Sequence, residues 1–281
     1  MKARYVAAGV AAVLVVGALA IFPASVEAQS GGTTTTTARP PAPRPKQSWP
    51  AVVRGNHWFV RTSYSTGVAT SDFFFGDVGD QKLFCDWDGD GVRSPGVRRG
   101  ITFYLRDAPI PNGQGGTSDR AALNFGNPDD IAICGDWNGD TTETIGVVRN
   151  EGGTLHWFMH NSNIPGQPAV SPTPYFGSAG DVPIVGDWDN DGVITLGVRR
   201  GITFFWRDTN ETGPGTGSFD FGDPGDQPVA GNWDNILGDT FGVVRNGTWY
   251  IRNANTAGSP SIQPFQFGDA GDVARVFQQP L

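Results

Sequence analysis

From about residue 51 to the C terminus, the chain alternates between short apolar runs and clusters of turn-forming residues. The runs are rich in Val, Ile, Phe, Tyr, Trp and Thr, which is typical of β-strands. Gly, Pro, Asn and Asp separate them, and these residues favour tight turns. The segment 96–145, for example, contains the runs GVRR, ITFYLRD, ALNFG and IAICGDW. The pattern therefore predicts an all-β domain built of short strands.

The strand pattern occurs five times along the chain. Three markers keep one register: a Phe-Gly dipeptide, a Gly-Val-x-Arg segment, and an Asp-Trp or Asn-Trp dipeptide ten residues before that glycine. The resulting repeat units are 51–95, 96–145, 146–196, 197–241 and 242–281. A repeat of this kind indicates one structural unit copied along the chain.

Four strands in each unit make it the size of one β-propeller blade. A single blade cannot bury both of its faces, so neighbouring blades must stack around an axis. We therefore predict a five-bladed β-propeller of four-stranded blades over residues 49–281, with the last strand pairing beside the first to close the ring. An open or incomplete propeller-like array, a β-solenoid and a pair of β-sandwiches are the alternative architectures.

The N-terminal segment differs from the rest of the chain. Lys2 and Arg4 precede an apolar run that ends at Phe22, and small residues follow, which is the pattern of a secretory signal peptide. We predict a signal peptide at 1–28 and a Thr/Pro-rich linker at 29–48, with the protein secreted or held at the cell surface. The alternative is that the apolar run is retained as a membrane anchor.

Asp is far commoner than Glu in this chain. Of the 28 acidic residues only four are Glu, at positions 27, 143, 151 and 211. Asp and Gly favour turns and metal loops over helices. The net charge is −8, and it becomes −9 if residues 1–28 are removed. So acidic a chain is a poor ligand for nucleic acid or anionic lipid, and we predict neither partner, no membrane insertion after cleavage, and a monomer.

Much of the Asp excess falls in loops that follow the Asp-Trp or Asn-Trp marker. Carboxylates at loop positions 1, 3 and 5, with Gly at position 6 and a main-chain carbonyl at position 7, are typical of a calcium site. The first loop has Asp86, Asp88 and Asp90, and the third has Asp187, Asp189 and Asp191. The second has Asp136, Asn138 and Asp140, with Thr141 in place of Gly. The fourth has Asn232, Asp234 and Ile236, so we predict that it has lost its ion.

The candidate calcium ligands therefore follow from loop position. Two sites are predicted in loops one and three, and a third, weaker one in loop two. An Asp-Gly turn that bonds only to its own backbone is the alternative for each loop. The candidates are Asp86, Asp88, Asp90, Val92 and Ser94; Asp136, Asn138, Asp140, Thr142 and Thr144; and Asp187, Asp189, Asp191, Val193 and Thr195. No loop has the Glu at position 12 that an EF-hand requires.

The combined motif resembles a known repeat family. The Phe-Gly pair, the GDxPVxGDWDGDG stretch and the Gly-Val-x-Arg strand resemble the FG-GAP/VCBS-type repeats of secreted bacterial propellers and integrin α-subunit heads. The resemblance covers residues 51–281 and implies calcium in DxDxDG hairpin loops and a role in adhesion or ligand binding. This chain departs from the family in having five repeats where seven are common, and in having Ser94, Thr144 or Thr195 where a carboxylate is expected.

Several residue rows recur at one position of every unit. We interpret the repeated Asp (80, 130, 181, 226 and 272) and Arg (54, 99, 149, 200 and 245) as forming structural ion pairs and turn hydrogen bonds rather than ligand contacts. The row of Arg61, Arg106, Arg207, Arg252 and His160 is interpreted in the same way. The repeated Trp87, Trp137, Trp188 and Trp233 are predicted to pack between blades rather than to bind sugar.

The two cysteines, Cys85 and Cys134, are offset by one residue in equivalent strands of different units. Their side chains should then point to opposite sheet faces, and we predict free, buried thiols.

The sequence contains no GxSxG motif, no HExxH motif and no Cys/His pair of a catalytic site. We therefore favour a secreted calcium-binding propeller that binds an extracellular protein or glycan. A lectin-like module is the first alternative, and a glycoside-hydrolase-type enzyme with two facing carboxylates is the second.

Overall fold

A computed structural model describes residues 46–236 and 238–280 of the chain, and the signal peptide and most of the linker predicted from the sequence lie outside them. All regular elements of the described residues are β-strands. They form five sheets arranged as a five-bladed β-propeller, which confirms the fold class. The described part of the chain has no helix of the length and hydropathy needed to cross a bilayer.

Each blade is one sheet of antiparallel strands, described from its innermost to its outermost strand. Blade 1 contains β21 (Val273–Pro280), β1 (Lys46–Arg54), β2 (His57–Val60), β3 (Ser71–Phe75) and the short, parallel β7 (Gly115–Gly116). Blade 2 contains β4 (Gln81–Cys85), β5 (Ser94–Arg99), β6 (Thr102–Leu105) and β8 (Leu123–Asn124). Blade 3 contains β9 (Ile131–Gly135), β10 (Thr144–Glu151), β11 (Thr154–Met159) and β12 (Tyr175–Ser178).

The last two blades follow the same order. Blade 4 contains β13 (Val182–Gly186), β14 (Thr195–Arg200), β15 (Thr203–Trp206) and β16 (Gly217–Asp220). Blade 5 contains β17 (Gln227–Gly231), β18 (Thr240–Arg245), β19 (Thr248–Ile251) and β20 (Phe265–Gln266). Each repeat unit of the sequence thus begins at the second strand of a blade, and the innermost strand of that blade ends the preceding unit.

The two ends of the domain close the ring. β21 pairs antiparallel with β1 over eight residue pairs, from Lys46 with Pro280 to Val53 with Val273. This pairing makes blade 1 from both ends of the chain and excludes the open array. β1 begins at Lys46, inside the segment that the sequence predicts to be linker, because residues 46–48 are needed to complete the seam.

The hydrophobic core lies between blades rather than within them. Five clusters of buried side chains occupy the five blade interfaces, and each combines residues from two adjacent blades. The repeated Trp87, Trp137, Trp188 and Trp233 are all buried in these clusters, which confirms their packing role. Burial of aromatic and aliphatic surface at every interface is the main stabilising contribution to the fold.

The repeated Asp and Arg residues form one ion pair in each blade, as predicted. Each Asp precedes the innermost strand and accepts hydrogen bonds from the Arg at the end of the second strand, with the closest N–O distances at 2.6–2.8 Å. The same carboxylate accepts the main-chain N–H three residues earlier, as Asp130 does from Asn127. The five Asp side chains are almost wholly buried. The pair fastens the entry turn of each blade to its own sheet.

These pairs predict loss of stability in acid. Burial opposes ionisation of Asp130, but bonds from Arg149 and the Asn127 amide outweigh it and lower its pKa below the ordinary value. Because a lowered pKa stabilises the fold only while the carboxyl is ionised, this contribution is complete above pH ~4 and is lost as the pH falls through the folded-state pKa. Asp130→Asn should therefore unfold about 2 kcal/mol more easily at pH 7. In urea unfolding followed from pH 7 to 2.5, that deficit should shrink below pH ~4, and a deficit independent of pH would contradict this role.

The row of Arg61, Arg106, Arg207, Arg252 and His160 also has the structural role predicted for it. Each side chain donates to main-chain oxygens of the loop that joins the third and fourth strands of its blade, such as Arg61 to Ser65 and His160 to Gln167. These bonds hold long surface loops in place.

The prediction of free thiols is wrong, because Cys85 and Cys134 form a disulfide with a Cα–Cα distance of 6.5 Å. Cys85 lies on the innermost strand of blade 2 and Cys134 on that of blade 3. Blades stack face to face around the axis, so side chains that point to opposite faces of equivalent strands in neighbouring blades point toward each other. The offset of one residue thus brings the two sulfurs together.

Candidate metal centres

Four hairpin loops of similar backbone lie at one end of the propeller, each joining the innermost strand of a blade to its second strand. Counting positions 1 to 9 from the first Asp or Asn, they are loop one (86–94), loop two (136–144), loop three (187–195) and loop four (232–240). The chain ends of blade 1 take the place of a fifth loop. In blade 1, Gln278 is equivalent to position 1 of a loop and Ser48 is equivalent to position 8, because they make the same main-chain hydrogen bonds to the neighbouring blades.

The loops need left-handed backbone at positions 4 and 6. Position 4 has positive φ in all four loops, at Gly89 (78°), Gly139 (74°), Asn190 (62°) and Asn235 (58°). Position 6 has positive φ in the first three, at Gly91 (94°), Thr141 (79°) and Gly192 (90°). Gly and Asn adopt this conformation at little cost, and it turns the side chains of positions 1, 3 and 5 inward. The need for Gly or Asn at position 4 was not part of the motif predicted from the sequence.

Loop one places the carboxylates of Asp86, Asp88 and Asp90 together, each offering one oxygen within 4.8 Å of the others. Asp86 is fully buried and accepts the amides of Gly89 and Gly91 at 2.9 Å. Asp90 accepts the amide of Val92 at 2.7 Å. These bonds fix the direction of the carboxylates but leave three negative charges in one small loop.

Loop three repeats this arrangement with Asp187, Asp189 and Asp191, whose oxygens also lie within 4.8 Å of one another. Asp187 accepts the amides of Asp191 and Gly192 at 3.0 and 3.1 Å. Burial, with repulsion from Asp239 and Asp191, raises the pKa of Asp187 to about 7. Burial and repulsion from Asp191 also raise the pKa of Asp189. A nearby cation would relieve this unfavourable charge.

Loop two has the same backbone with one carboxylate fewer. Asp136 accepts the amides of Gly139 and Thr141, both at 2.7 Å, and burial raises its pKa. The Asn138 amide donates to Asp140 at 3.0 Å. This hydrogen bond occupies one carboxylate oxygen of Asp140 that could otherwise face a cation. Loop two thus offers a cation less charge than loops one and three.

Thr141 occupies a left-handed position that disfavours β-branched residues. Thr141→Gly should therefore raise the free energy of unfolding by about 1 kcal/mol in the presence of chelator. The reverse change at the equivalent position of loop one, Gly91→Ala, should lower it by a similar amount. Urea unfolding of both variants without calcium checks this, and a Thr141→Gly variant no more stable than the parent would contradict it.

Loop four keeps the fold of the hairpin without the acidic cluster. Asn232 replaces the first Asp, and Ile236 at position 5 is largely exposed. Within the described part of this loop, Asp234 accepts the amide of Ile236 at 3.1 Å. Within the described residues, three carboxylates converge in loops one and three but not in this loop.

The candidate ligands at position 9 lie inside the blades. The hydroxyl groups of Thr144 and Thr195 donate to main-chain carbonyls, Thr195 to Gly186 at 3.3 Å. Ser94 donates to Asp107 at 3.3 Å. All three therefore make structural bonds within their blades. At position 7, the main-chain N–H groups of Val92 and Val193 donate to the carboxylate of the Asp at position 5 of the same loop, at 2.7 and 2.8 Å.

A ring of main-chain hydrogen bonds connects the loops of neighbouring blades. The N–H at position 8 donates to the carbonyl at position 1 of the preceding blade, at distances of 2.6–2.9 Å. The five bonds run from Arg93 to Gln278, Glu143 to Asp86, Ile194 to Asp136, Asp239 to Asp187 and Ser48 to Asn232. Each loop is therefore tied by a main-chain hydrogen bond to the adjacent blade.

Two acidic residues at position 8 strengthen this ring. Glu143 accepts the amide of Asp86 at 2.7 Å and also pairs with Arg93 at 2.6 Å. Asp239 accepts the amide of Asp187 at 3.1 Å. Sequence reasoning missed both, because each acts on a loop about 50 residues earlier in the chain. One sequence feature could have identified them: each lies three residues before the Gly of a Gly-Val-x-Arg segment.

Two of the three histidines lie in polar clusters on the outer strands. His57 contacts the carboxylate of Asp72 at 2.6 Å, and His156 contacts Glu151 at 2.8 Å and Thr173 at 2.7 Å. Glu151 also pairs with Arg149. Glu143 is buried beneath Arg93. Two of the three glutamates beyond residue 28, Glu143 and Glu151, therefore form structural ion pairs.

The fold and its loops define an all-β, five-bladed propeller with two three-carboxylate clusters at one end. Compared with family models, with curated proteins and with solved structures, the chain matches none of them. The function must therefore be argued from the site itself.

Proposed function

We propose that this protein is a calcium-stabilised propeller that serves as an extracellular binding module for a protein or glycan. The observation that carries the proposal is the pair of acidic clusters in loops one and three. Each gathers three carboxylate oxygens within 4.8 Å in a loop that is hydrogen-bonded to the adjacent blade.

The donor set fits calcium better than other common ions. It consists of carboxylates and main-chain carbonyls, and hard oxygen ligands favour Ca²⁺ or Mg²⁺ over Zn²⁺. The clusters lie on hairpin loops, and Ca²⁺ accepts irregular geometry more readily than Mg²⁺ does. Asp86, Asp88 and Asp90 would hold one ion, and Asp187, Asp189 and Asp191 the other, with the carbonyls of Val92 and Val193.

Calcium would act here on the scaffold rather than on a substrate. The carbonyls of Asp86 and Asp187 accept the interblade bonds from Glu143 and Asp239. An ion that neutralises these loops would therefore stabilise the interfaces of blades 2 and 3 and of blades 4 and 5. A propeller held in this way offers a rigid frame whose surface loops can bind a partner.

A glycan array probed with the mature protein tests the recognition part of this proposal. We expect binding in millimolar calcium, loss of binding with chelator, and loss with the Asp88→Asn/Asp189→Asn double variant. Binding to one defined glycan class would favour the lectin-like form. Binding unaffected by chelator and by the double variant would contradict a calcium-dependent module. Hydrolysis of a glycosidic substrate, abolished by one Asp substitution, would instead support the enzyme alternative.

A further inference from the structure

The five innermost strands surround a central cavity of about 420 Å³. Most of its lining is aliphatic and comes from all five blades. Ile131 and Val182, at the start of their strands, are 43% and 47% exposed. The cavity thus opens to solvent at the end opposite the metal loops, and its volume is within the range of small-molecule sites.

Arg275 breaks the repeat symmetry of this cavity. It lies three residues after the repeated Asp272, on the innermost strand of blade 1. The equivalent residues of the other four blades are all buried and aliphatic: Leu83, Ile133, Ile184 and Val229. A single asymmetric ligand in a central cavity could be recognised through such a break in symmetry, since identical positions would offer identical contacts.

The Arg275 guanidinium uses only part of its hydrogen-bonding capacity. Its Nε donates to the carbonyl of Lys82 at 2.8 Å, and Nη1 donates to the carbonyl of Ala274 at 2.7 Å. These are two of five N–H donors. Among the described residues, no carboxylate pairs with Arg275 and no acceptor is found for its other three N–H groups.

The other charges around the cavity already have partners. Arg93 pairs with Glu143 at 2.6 Å. Asp181 lines the cavity but accepts two bonds from Arg200, both at 2.8 Å. The Lys82 ammonium donates to the carbonyl of Asp77, and the carboxylates of Asp80 and Asp77 lie near enough to favour its charged form. Arg275 is therefore the cation of the cavity lining that lacks a counter-charge.

Arg275 remains a cation at neutral pH in this setting. Burial lowers its pKa to about 10, which is still far above 7. An arginine without a counter-charge in an apolar cavity is costly, whereas an aliphatic residue would pack there as it does in the other four blades. Retention of the charge is explained if the cavity receives an anion.

We propose that the central cavity binds a small organic monocarboxylate, with the carboxylate on Arg275 and the apolar body against the aliphatic lining. One guanidinium edge matches one carboxylate with two parallel hydrogen bonds. The surrounding Ile133, Ile184, Val229 and Val276 side chains supply the apolar contacts. Binding at this site would require neither calcium nor the recognition of a protein or glycan.

Calorimetric titration with octanoate tests the site, with octanamide and acetate as ligands that lack the charge or the apolar body. We expect octanoate to bind at least ~10-fold more tightly than either, because only octanoate satisfies both parts of the cavity. Arg275→Met should reduce octanoate affinity at least ~10-fold without lowering the melting temperature. Equal affinity for octanoate and octanamide, or unchanged binding by Arg275→Met, would overturn the proposal.

Two further variants separate loss of the site from loss of the fold. Arg245→Met removes an arginine outside the cavity, paired with Asp226, and should bind octanoate as the parent does. Val182→Trp narrows the exposed mouth and should weaken binding of octanoate while Arg275 is intact. If Arg275→Met proves less stable than the parent, the Val182→Trp variant decides: unchanged octanoate affinity in it would overturn the proposal.

Discussion

Removal of calcium should lower the melting temperature of this protein. We expect it to be roughly 10–15 °C lower in excess chelator than in a buffer with 2 mM calcium. Each loop held at about 100 times its dissociation constant adds ~2.7 kcal/mol to the free energy of unfolding, and two such loops add ~5 kcal/mol. The physical reason is the concentration of negative charge. Asp187 already resists ionisation, with a pKa of about 7, when no cation compensates its neighbours.

Variants of one loop at a time measure how much of the calcium-dependent shift in melting temperature each site contributes. Asp88→Asn and Asp189→Asn should each remove about half of the calcium-dependent shift, and the double variant should remove nearly all of it. Asp234→Asn is the matched control, because Asp234 occupies position 3 of loop four, which lacks the cluster. A shift as large in the double variant as in the parent would contradict the assignment of the ions to these loops.

Reduction of the Cys85–Cys134 disulfide should cost about 3–4 kcal/mol of unfolding free energy. The bond closes a chain segment with a sequence separation of 49 residues, so its loss increases the freedom of the unfolded chain. It also joins the innermost strands of blades 2 and 3, an interface that loop one borders. Urea unfolding with and without dithiothreitol measures the cost.

The control for this experiment is the Cys85→Ala/Cys134→Ala double variant, whose stability should not respond to reductant. The chain has two cysteines, so a thiol titration gives an independent check. Denatured, unreduced protein should contain no reactive thiol, and reduced protein should contain two. Two reactive thiols before reduction would contradict the bond.

The architecture could be predicted from the sequence because its determinants are local and repeated. Each blade carries its own Phe-Gly turn and its own Asp–Arg pair, so five copies specify five equivalent units. Ring closure could also be predicted from the sequence. The last repeat unit has no metal loop after its final strand, so that strand is free to pair with the first strand of the domain. The calcium ligands at positions 1, 3 and 5 of loops one and three remain a prediction that the geometry of the carboxylates supports.

What sequence reasoning missed depends on contacts between blades. The disulfide was mispredicted because opposite faces were treated as divergent, which holds within one sheet and fails between stacked sheets. Glu143 and Asp239 share a position three residues before the Gly-Val pair, but the loop on which each acts lies more than 50 residues earlier in the chain, so local spacing does not reveal their role. Arg275 has no motif. It stands out when the repeat units are aligned on the repeated Asp, but only the structure places that position at the central cavity.

Calcium titration of the chelator-treated protein by calorimetry tests the central claim most directly. The account predicts two binding events of comparable affinity, assigned by Asp88→Asn and Asp189→Asn to loops one and three, with any third event at loop two much weaker. No calcium binding at millimolar concentration, or two sites that persist in the Asp88→Asn/Asp189→Asn double variant, would contradict it.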